Sequence, residues 1–327
     1  MKYRKQDAKA YARAHLRGVW AATLTPFTPD LACDEEGFRR NLRHWYRDLD
    51  LAGLFVGGKQ GEFYAMTLAE RKRQFELAVE EAQAAGKQTM LSCSDQSLDT
   101  VLELARHAQA IGADYIVVHT PLLYFGAHSD DTVYEYYRHI AGEVDIGVTL
   151  WNQPPDCGYM LSPELCVRMA EGIPNVVAIK YSVPRADYAR LTRLAGERLI
   201  VSTSAEDEWL ENIVELGWQV YLCSTPPYLM QTRDDRRMNE YTALAMAGEV
   251  ERARAVRASL DPVRQALKRS RAHGKPQASQ KYWQELLGQA GGPVRRPLLQ
   301  LTAEEKAVIR EAFAGCGLAG AGTRRAA

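Results

Sequence analysis

The sequence predicts an α/β protein of the (β/α)8 TIM barrel class with a C-terminal helical extension. Three observations lead to this prediction. Short β-rich segments recur eight times in the first two thirds of the chain, helical patterns lie between them, and the segments are apolar on both faces. Strands that are apolar on both faces are typical of a parallel sheet covered by helices, and eight strand–helix units are the number that closes a barrel.

The predicted strands cover residues 19–24, 53–57, 89–93, 115–119, 146–151, 176–180, 199–203 and 220–223. A doubly wound open sheet is the competing fold, and it needs a glycine-rich turn after its first strand to hold a dinucleotide. The first strand here leads instead into Thr25-Pro26-Phe27. This turn favours the barrel.

Helices are predicted where apolar residues recur at spacings of three and four, as in residues 67–84 and 98–111. Helix start signals are present at Thr67 with Glu70, at Thr302 with Glu305, and at Ser162 followed by Pro163. The predicted organisation is an N-terminal helical extension at 1–17, a barrel core at 18–232, a C-terminal helical region at 233–314 and a disordered tail at 315–327.

The composition excludes several classes of function. The 41 Lys and Arg residues balance 41 Asp and Glu residues, so no basic field favours nucleic acid or an anionic membrane. The longest apolar runs are far shorter than a membrane span, and we expect a cytoplasmic protein. The six cysteines are scattered, with no Cys-x-x-Cys pair and no histidine at zinc-site spacing, so we expect reduced thiols, no metal and no cofactor.

Lys180 is the first candidate for chemistry because it closes the apolar run 176–179, and barrel enzymes carry their reactive groups at the C-terminal ends of strands. A desolvated amine has a lowered pKa and attacks carbonyl carbon to form a Schiff base. The competing interpretation is a lysine that reaches solvent or pairs with Glu206.

The segment Gly57-Gly58-Lys59-Gln60-Gly61 follows the second strand and offers backbone N–H groups to an anion. It lacks the spacing of a phosphate loop, and the next predicted helix begins only at Thr67. We therefore expect a site for a small anion and not for a nucleotide.

Five motifs in order resemble the dihydrodipicolinate synthase and N-acetylneuraminate lyase family of Schiff-base aldolases and lyases. They are Ala22-Thr23-Leu24-Thr25-Pro26-Phe27, Gly58-Lys59-Gln60-Gly61-Glu62, Thr120-Pro121, Trp151-Asn152-Gln153-Pro154 and Ala178-Ile179-Lys180. The resemblance spans residue 18 to about residue 314. It implies Lys180 as the imine-forming residue, pyruvate or a related 2-oxo acid as substrate, and a homodimer or homotetramer.

The sequence departs from the family pattern at residues that matter for catalysis. Trp151 stands where the family has its catalytic tyrosine, and an indole N–H donates a hydrogen bond but does not relay a proton. Lys59 and Gln60 replace the two threonines of the family's Gly-Thr-Thr-Gly-Glu loop. The arginine typical of dihydrodipicolinate synthases aligns near Asp156, so we expect a different reaction from dihydrodipicolinate synthesis.

Lys59 and Gln60 still carry a charge and a hydrogen-bond donor for a carboxylate. If the Lys59 ammonium lies close to Lys180, like-charge repulsion lowers the pKa of Lys180 and raises its fraction of free amine. The alternative has Lys59 turned away and paired with Glu62. The resemblance and the strand ends together predict a substrate-binding set of Gly58, Lys59, Gln60, Asn152, Ser204 and Glu206.

The group that replaces the tyrosine in proton transfer is left open by the sequence. The family's relay tyrosine from a neighbouring subunit aligns near Leu123, so the adjacent Tyr124 is the preferred candidate. The others are His119, Glu206, Tyr181 and a carboxylate of the substrate itself, although Tyr181 follows Lys180 directly and points to the opposite side of the strand. Trp151 supplies a flat apolar wall, which suits a bulky or aromatic acceptor.

Three functions are compatible with these residues. The first is a lyase or aldolase, including a hydratase-aldolase, that makes or breaks a C–C bond through a Lys180 imine. The second is a barrel that has lost turnover with its tyrosine and acts as a small-molecule binding or regulatory protein. The third is an enzyme that works without an imine and uses Lys59 and Lys180 as an anion clamp.

Overall fold

The computed structural model of the protein describes residues 2–124, 126–222 and 224–318. Its strands are β1 (Gly18–Ala22), β2 (Gly53–Val56), β3 (Gln88–Ser92), β4 (Tyr115–His119), β5 (Gly147–Asn152), β6 (Val176–Tyr181), β7 (Ile200–Ser202) and β8 (Val220–Leu222). They form one eight-stranded sheet in the order β7-β6-β5-β4-β3-β2-β1-β8. The fold class predicted from the sequence, a (β/α)8 barrel with C-terminal helices, is confirmed.

The helices before, between and after the strands are α1 (Ala8–His15), α2 (Glu35–Arg43), α3 (Leu68–Ala85), α4 (Leu98–Ala110), α5 (Asp130–Gly142), α6 (Pro154–Cys157), α7 (Pro163–Gly172), α8 (Arg185–Ala195), α9 (Trp209–Leu216), α10 (Pro226–Leu229), α11 (Arg237–Met246), α12 (Val250–Ser259), α13 (Asp261–Arg269), α14 (Pro276–Leu286) and α15 (Ala303–Ala314). A π-helical turn, His44–Asp48, extends α2. Short 3-10 turns lie at Lys5–Asp7, Lys59–Gly61 and Phe63–Ala65.

The predicted start signals cap helices in the structure. Thr67 and Glu70 form a complete capping box at α3, and Thr302 and Glu305 form another at α15. The side chain of Ser162 caps α7. Local side-chain chemistry therefore sets these boundaries.

The C-terminal helical region predicted at 233–314 begins with the three helices α11, α12 and α13. Gly248 separates the first two with a φ of 81°, a left-handed conformation that glycine adopts without strain. Pro262 lies in the first turn of α13. Backbone N–H groups there have no partner within the helix, so the N–H that proline lacks costs no hydrogen bond. Residue 223 of the last predicted strand and residues 319–327 of the predicted tail lie outside the described residues.

The chain divides into two compact units. The first comprises Met1–Trp20 and Gln88–Cys223, and the second comprises Ala21–Lys87 and Ser224–Ala327. In the first unit β3 to β7 form a continuous parallel ladder, and β8 pairs with the start of β1. Ser202 on β7 links that strand to β8, because its Oγ donates to Val220 O at 2.9 Å and accepts from Leu222 N at 2.8 Å.

The N-terminal helix belongs to the first unit. Lys2 Nζ lies 2.7 Å from Asp114 Oδ1, and Gln219 Nε2 donates to the carbonyls of Arg13 and Leu16. The predicted N-terminal helical segment is thus held against the ends of the strands by specific polar contacts.

No helix within the described residues is long and apolar enough to cross a membrane. Those residues also contain no group of three or more His, Cys, Asp or Glu side chains that could hold a metal ion. None of the five cysteines in the described part of the chain forms a disulfide.

Candidate active site

Lys180 lies one residue before the end of β6 and is 2% exposed. The run 176–179 that precedes it is also buried, as expected for a strand that lies inside a helix-covered sheet. The strand therefore carries an amine into the protein interior at its C-terminal end, which is the functional end in barrels of this kind.

Strand register places other side chains on the same face as Lys180. Lys180 pairs with Trp151 on β5 and with Ser202 on β7, and Trp151 pairs with His119 on β4. Because side chains alternate between faces along a strand, directly paired residues of neighbouring strands share one face. His119, Trp151, Lys180 and Ser202 thus form one row, which we call the lysine row.

Trp151 is the centre of the lysine row and is 1% exposed. Lys180 Nζ lies 5.3 Å from the centre of the Trp151 ring, within the range of a cation–π contact. The His119 ring meets the same indole edge-on, with the ring centres 4.9 Å apart. One indole therefore contacts both neighbouring side chains of the row.

Two hydrogen bonds hold His119. Its backbone N–H donates to Ser94 Oγ at 2.9 Å, and its Nδ1 lies 2.8 Å from the Thr120 carbonyl oxygen. A carbonyl only accepts, so Nδ1 carries the hydrogen. The other ring nitrogen, Nε2, is buried and lies 3.7 Å from Asp156 Oδ2. Sequence reasoning named His119 but missed its proximity to Asp156, because Asp156 lies in α6, the short helical turn that follows β5.

The next position along each strand faces the other way. Asn152 pairs with Tyr181, and both side chains are completely buried. The Asn152 amide donates to Thr120 Oγ1 and to Tyr159 O, and it accepts from Leu161 N. The Tyr181 hydroxyl donates to the Leu161 carbonyl. These contacts fix the loop after β5, and a substrate-binding role for Asn152 stays a prediction.

The remaining predicted residues of the first unit lie near the ends of strands. Ser204 follows β7 and its Oγ lies 3.1 Å from Ser182 Oγ. Glu206 is 8% exposed. Tyr124 is 67% exposed, and its hydroxyl accepts a hydrogen bond from Gln96 Nε2. Tyr124 therefore lies outside the buried lysine row, and its predicted role in proton transfer stays a prediction.

The predicted anion loop belongs to the second unit. Gly57 has a φ of 75°, and a side chain there would also meet the Phe75 ring, so the turn after β2 requires glycine. Gln60 Nε2 donates to Ser224 Oγ at 2.9 Å. Thr25, the fourth residue of the first resemblance motif, donates to the Gly61 carbonyl at 2.7 Å. Gly58, Lys59 and Gln60 are thereby held in one short, anchored turn.

The loop ends at a buried ion pair that the sequence did not predict. Glu62 adopts a left-handed conformation with a φ of 59°, and its Oε1 lies 2.6 Å from Lys281 Nζ of α14. Its Oε2 accepts from the Arg295 N–H at 2.8 Å. Burial lowers the pKa of Lys281 to about 8. Helical periodicity marks α14 as amphipathic, but no pattern identifies which of its polar residues pairs with Glu62.

Fold and site together define a class of protein: a (β/α)8 barrel with a buried lysine at the end of its sixth strand. The model of the Dihydrodipicolinate synthetase family matches residues 15–314. The chain therefore belongs to that family.

Individual relatives carry different names. The chain is 27% identical over 296 residues to the 4-hydroxy-tetrahydrodipicolinate synthase of Methanothrix thermoacetophila, covering 90% of this chain and 95% of the relative. It is also 27% identical over 298 residues to a probable 5-dehydro-4-deoxyglucarate dehydratase of Bradyrhizobium diazoefficiens, covering 89% and 90%. A solved monomeric dihydrodipicolinate synthase variant superposes with a TM-score of 0.81 at 24% identity, covering 94% and 99%. Members of the family are lyases.

Proposed function

We propose that the protein is a Schiff-base lyase or aldolase that acts on pyruvate or a related 2-oxo acid through Lys180. The Lys180 amine attacks the ketone carbon, water leaves, and the resulting iminium withdraws electrons from the adjacent bonds. A C–C bond is then made or broken, and a hydratase-aldolase reaction uses the same intermediate.

The observation that carries this proposal is the position of Lys180. Its side chain is buried, ends an apolar strand and lies against the Trp151 ring. A buried amine at the functional end of a barrel is a candidate nucleophile, because burial disfavours its charged form and excludes water from the imine.

We propose further that the reaction is not dihydrodipicolinate synthesis. The relatives named as a synthase and as a dehydratase are equally similar to this chain, at 27% identity, so similarity alone does not choose between them. Trp151 and Asp156 replace the tyrosine and the arginine expected from the family resemblance. An indole wall beside the amine favours a bulky or aromatic acceptor over a small polar one.

We propose that Lys59 and Gln60 bind the substrate carboxylate. Both lie in the anchored turn at the end of β2, and the Gln60 amide is already oriented by Ser224. Gly58 precedes them, and a side chain at that position would meet the Phe55 ring. Ser204 and Glu206 are proposed to contact the rest of the substrate.

The proposal is tested by incubating the protein with pyruvate, reducing with borohydride and mapping the modified peptide by mass spectrometry. We expect the reduced adduct on Lys180 and its absence in Lys180→Arg, which keeps the charge but is not nucleophilic. Binding of pyruvate without any adduct would instead favour the competing function, a small-molecule binding or regulatory protein. Lys306→Met, at an exposed lysine of α15, is the matched control.

We also propose a homodimer or homotetramer. The loop after β4 exposes Leu122 by 44% and Tyr124 by 67%, two large side chains that an interface between copies would cover. A monomeric synthase variant has been solved within the fold, so the fold does not require assembly. Light scattering coupled to gel filtration decides between a monomer and an assembly.

A further inference from the structure

We propose that His119 performs the proton transfer that the family assigns to a tyrosine, with Asp156 as its positioning residue. This inference rests on the proposed function, since the proton in question leaves the carbon next to the Lys180 imine. It assigns a role that neither the fold nor the family supplies.

The lysine row brings His119 to the correct face of the sheet. His119, Trp151 and Lys180 are consecutive partners on β4, β5 and β6. Neighbouring strands lie about 4.8 Å apart, so the backbones of His119 and Lys180 are about 10 Å apart. The two side chains and a 2-oxo acid carried on Lys180 together span that distance.

Trp151 cannot take this role itself, because an indole N–H only donates. Its ring nevertheless contacts both the Lys180 amine and the His119 ring, at 5.3 Å and 4.9 Å from its centre. His119 therefore lies on the same face of the sheet as the amine that forms the imine, and one indole ring contacts both side chains.

The tautomer of His119 suits a general base. Nδ1 donates to the Thr120 carbonyl, so the neutral ring carries its lone pair on Nε2. That nitrogen is buried and makes no hydrogen bond with any described residue. Asp156 Oδ2, at 3.7 Å, is beyond hydrogen-bond distance but close enough to stabilise the imidazolium once Nε2 has taken up a proton.

The step balances without a further reagent. The Nε2 lone pair removes a proton from the carbon adjacent to the iminium carbon. The C–H electron pair becomes the new C=C bond, and the electrons of the C=N bond move to nitrogen and give a neutral enamine. Return of the proton from the imidazolium regenerates the iminium and the neutral imidazole. Attack of the enamine on an aldehyde instead gives the iminium of the aldol product, and the new alkoxide takes the proton from the imidazolium. Water then hydrolyses the iminium, which releases the product and frees the Lys180 amine.

The test separates imine formation from proton transfer. Pyruvate is incubated with the protein in D2O, deuterium entry into its methyl group is followed by NMR, and the imine is trapped in parallel with borohydride. We expect His119→Asn to keep trapping within about threefold and to lose exchange by about 100-fold or more. His139→Asn, at an exposed histidine of α5, is the matched control and keeps both.

Asp156 supplies a second, independent variant. Asp156→Asn is expected to slow exchange about tenfold with trapping intact, and Asp156→Glu is expected to restore part of the rate. A merely structural role would lower trapping and exchange together. These variants also decide the question if His119→Asn fails to fold.

Each outcome is informative. Trapping and exchange that both persist in His119→Asn overturn the role of His119 and leave the proposed function intact. If Tyr124→Phe loses deuterium exchange and His119→Asn keeps it, Tyr124 and not His119 performs the proton transfer. Absence of any adduct in the wild-type protein overturns the proposed function and, with it, this inference.

Discussion

Lys180 of the first unit and Lys281 of the second are both almost completely buried, with 2% and 1% exposure, but their surroundings differ. Lys281 lies 2.6 Å from Glu62, donates to Pro293 O at 2.7 Å and packs over the Phe27 ring. Lys180 lies near the end of a strand beside the Trp151 indole. The same indole contacts the His119 ring, whose Nε2 lies 3.7 Å from Asp156 Oδ2. Burial alone therefore does not identify a nucleophile; the position in the fold and the neighbouring groups do.

Replacing Lys180 should give the largest effect on chemistry. Lys180→Met is expected to lower borohydride trapping with pyruvate by about 10³-fold or more, because it removes the amine to which we assign the imine. Lys281→Met should still be labelled at Lys180 under conditions where it is folded. Equal labelling of the Lys180→Met variant and the wild type would show that another amine reacts.

Replacing Lys281 should give the largest effect on stability. Lys281→Met leaves the Glu62 carboxylate buried without its partner, which is expected to cost about 3–5 kcal/mol of unfolding free energy. The double variant Lys281→Met with Glu62→Gln should recover much of that loss. Urea denaturation measures both, and a loss below about 1 kcal/mol in the single variant would contradict a structural role for the pair.

Lys59 offers a smaller effect on the chemistry of Lys180. If its ammonium acts on Lys180, Lys59→Met should move the pH dependence of imine formation to higher pH, because a like charge has been removed. Trapping yield as a function of pH is the measurement. An unchanged profile would refute the activation role. If Lys59 acts only as a carboxylate ligand, Lys59→Met should need a higher pyruvate concentration than wild type for half-maximal trapping.

Trp151 should give the smallest effect on imine formation. Trp151→Phe keeps an apolar wall beside Lys180 and is expected to trap pyruvate within about threefold of wild type. A loss as large as that of Lys180→Met would mean that the indole N–H takes part in imine formation.

The fold was largely predictable because its signals are local. All eight strands lie within one or two residues of their predicted bounds, and the cap at Thr67 forms as its Ser/Thr-x-x-Glu pattern indicates. The position of Lys180 was predictable for the same reason, since it ends an apolar run at a strand end.

Contacts between distant parts of the chain were not predictable. The Glu62–Lys281 pair joins residues more than 200 positions apart, and no periodicity encodes a partner at that separation. The proximity of Asp156 to His119 depends on how the loop after β5 turns back, which Asn152 fixes through backbone contacts. Sequence reasoning favoured Tyr124 because tyrosine matched the missing group in type, whereas the structure exposes that side chain.

A crystal structure of the protein soaked with pyruvate tests the central claim most directly. The account predicts continuous electron density from Lys180 Nζ to the second carbon of pyruvate, with the Trp151 ring beside it. Pyruvate bound without a covalent bond to Lys180, or joined to a different lysine, would contradict it.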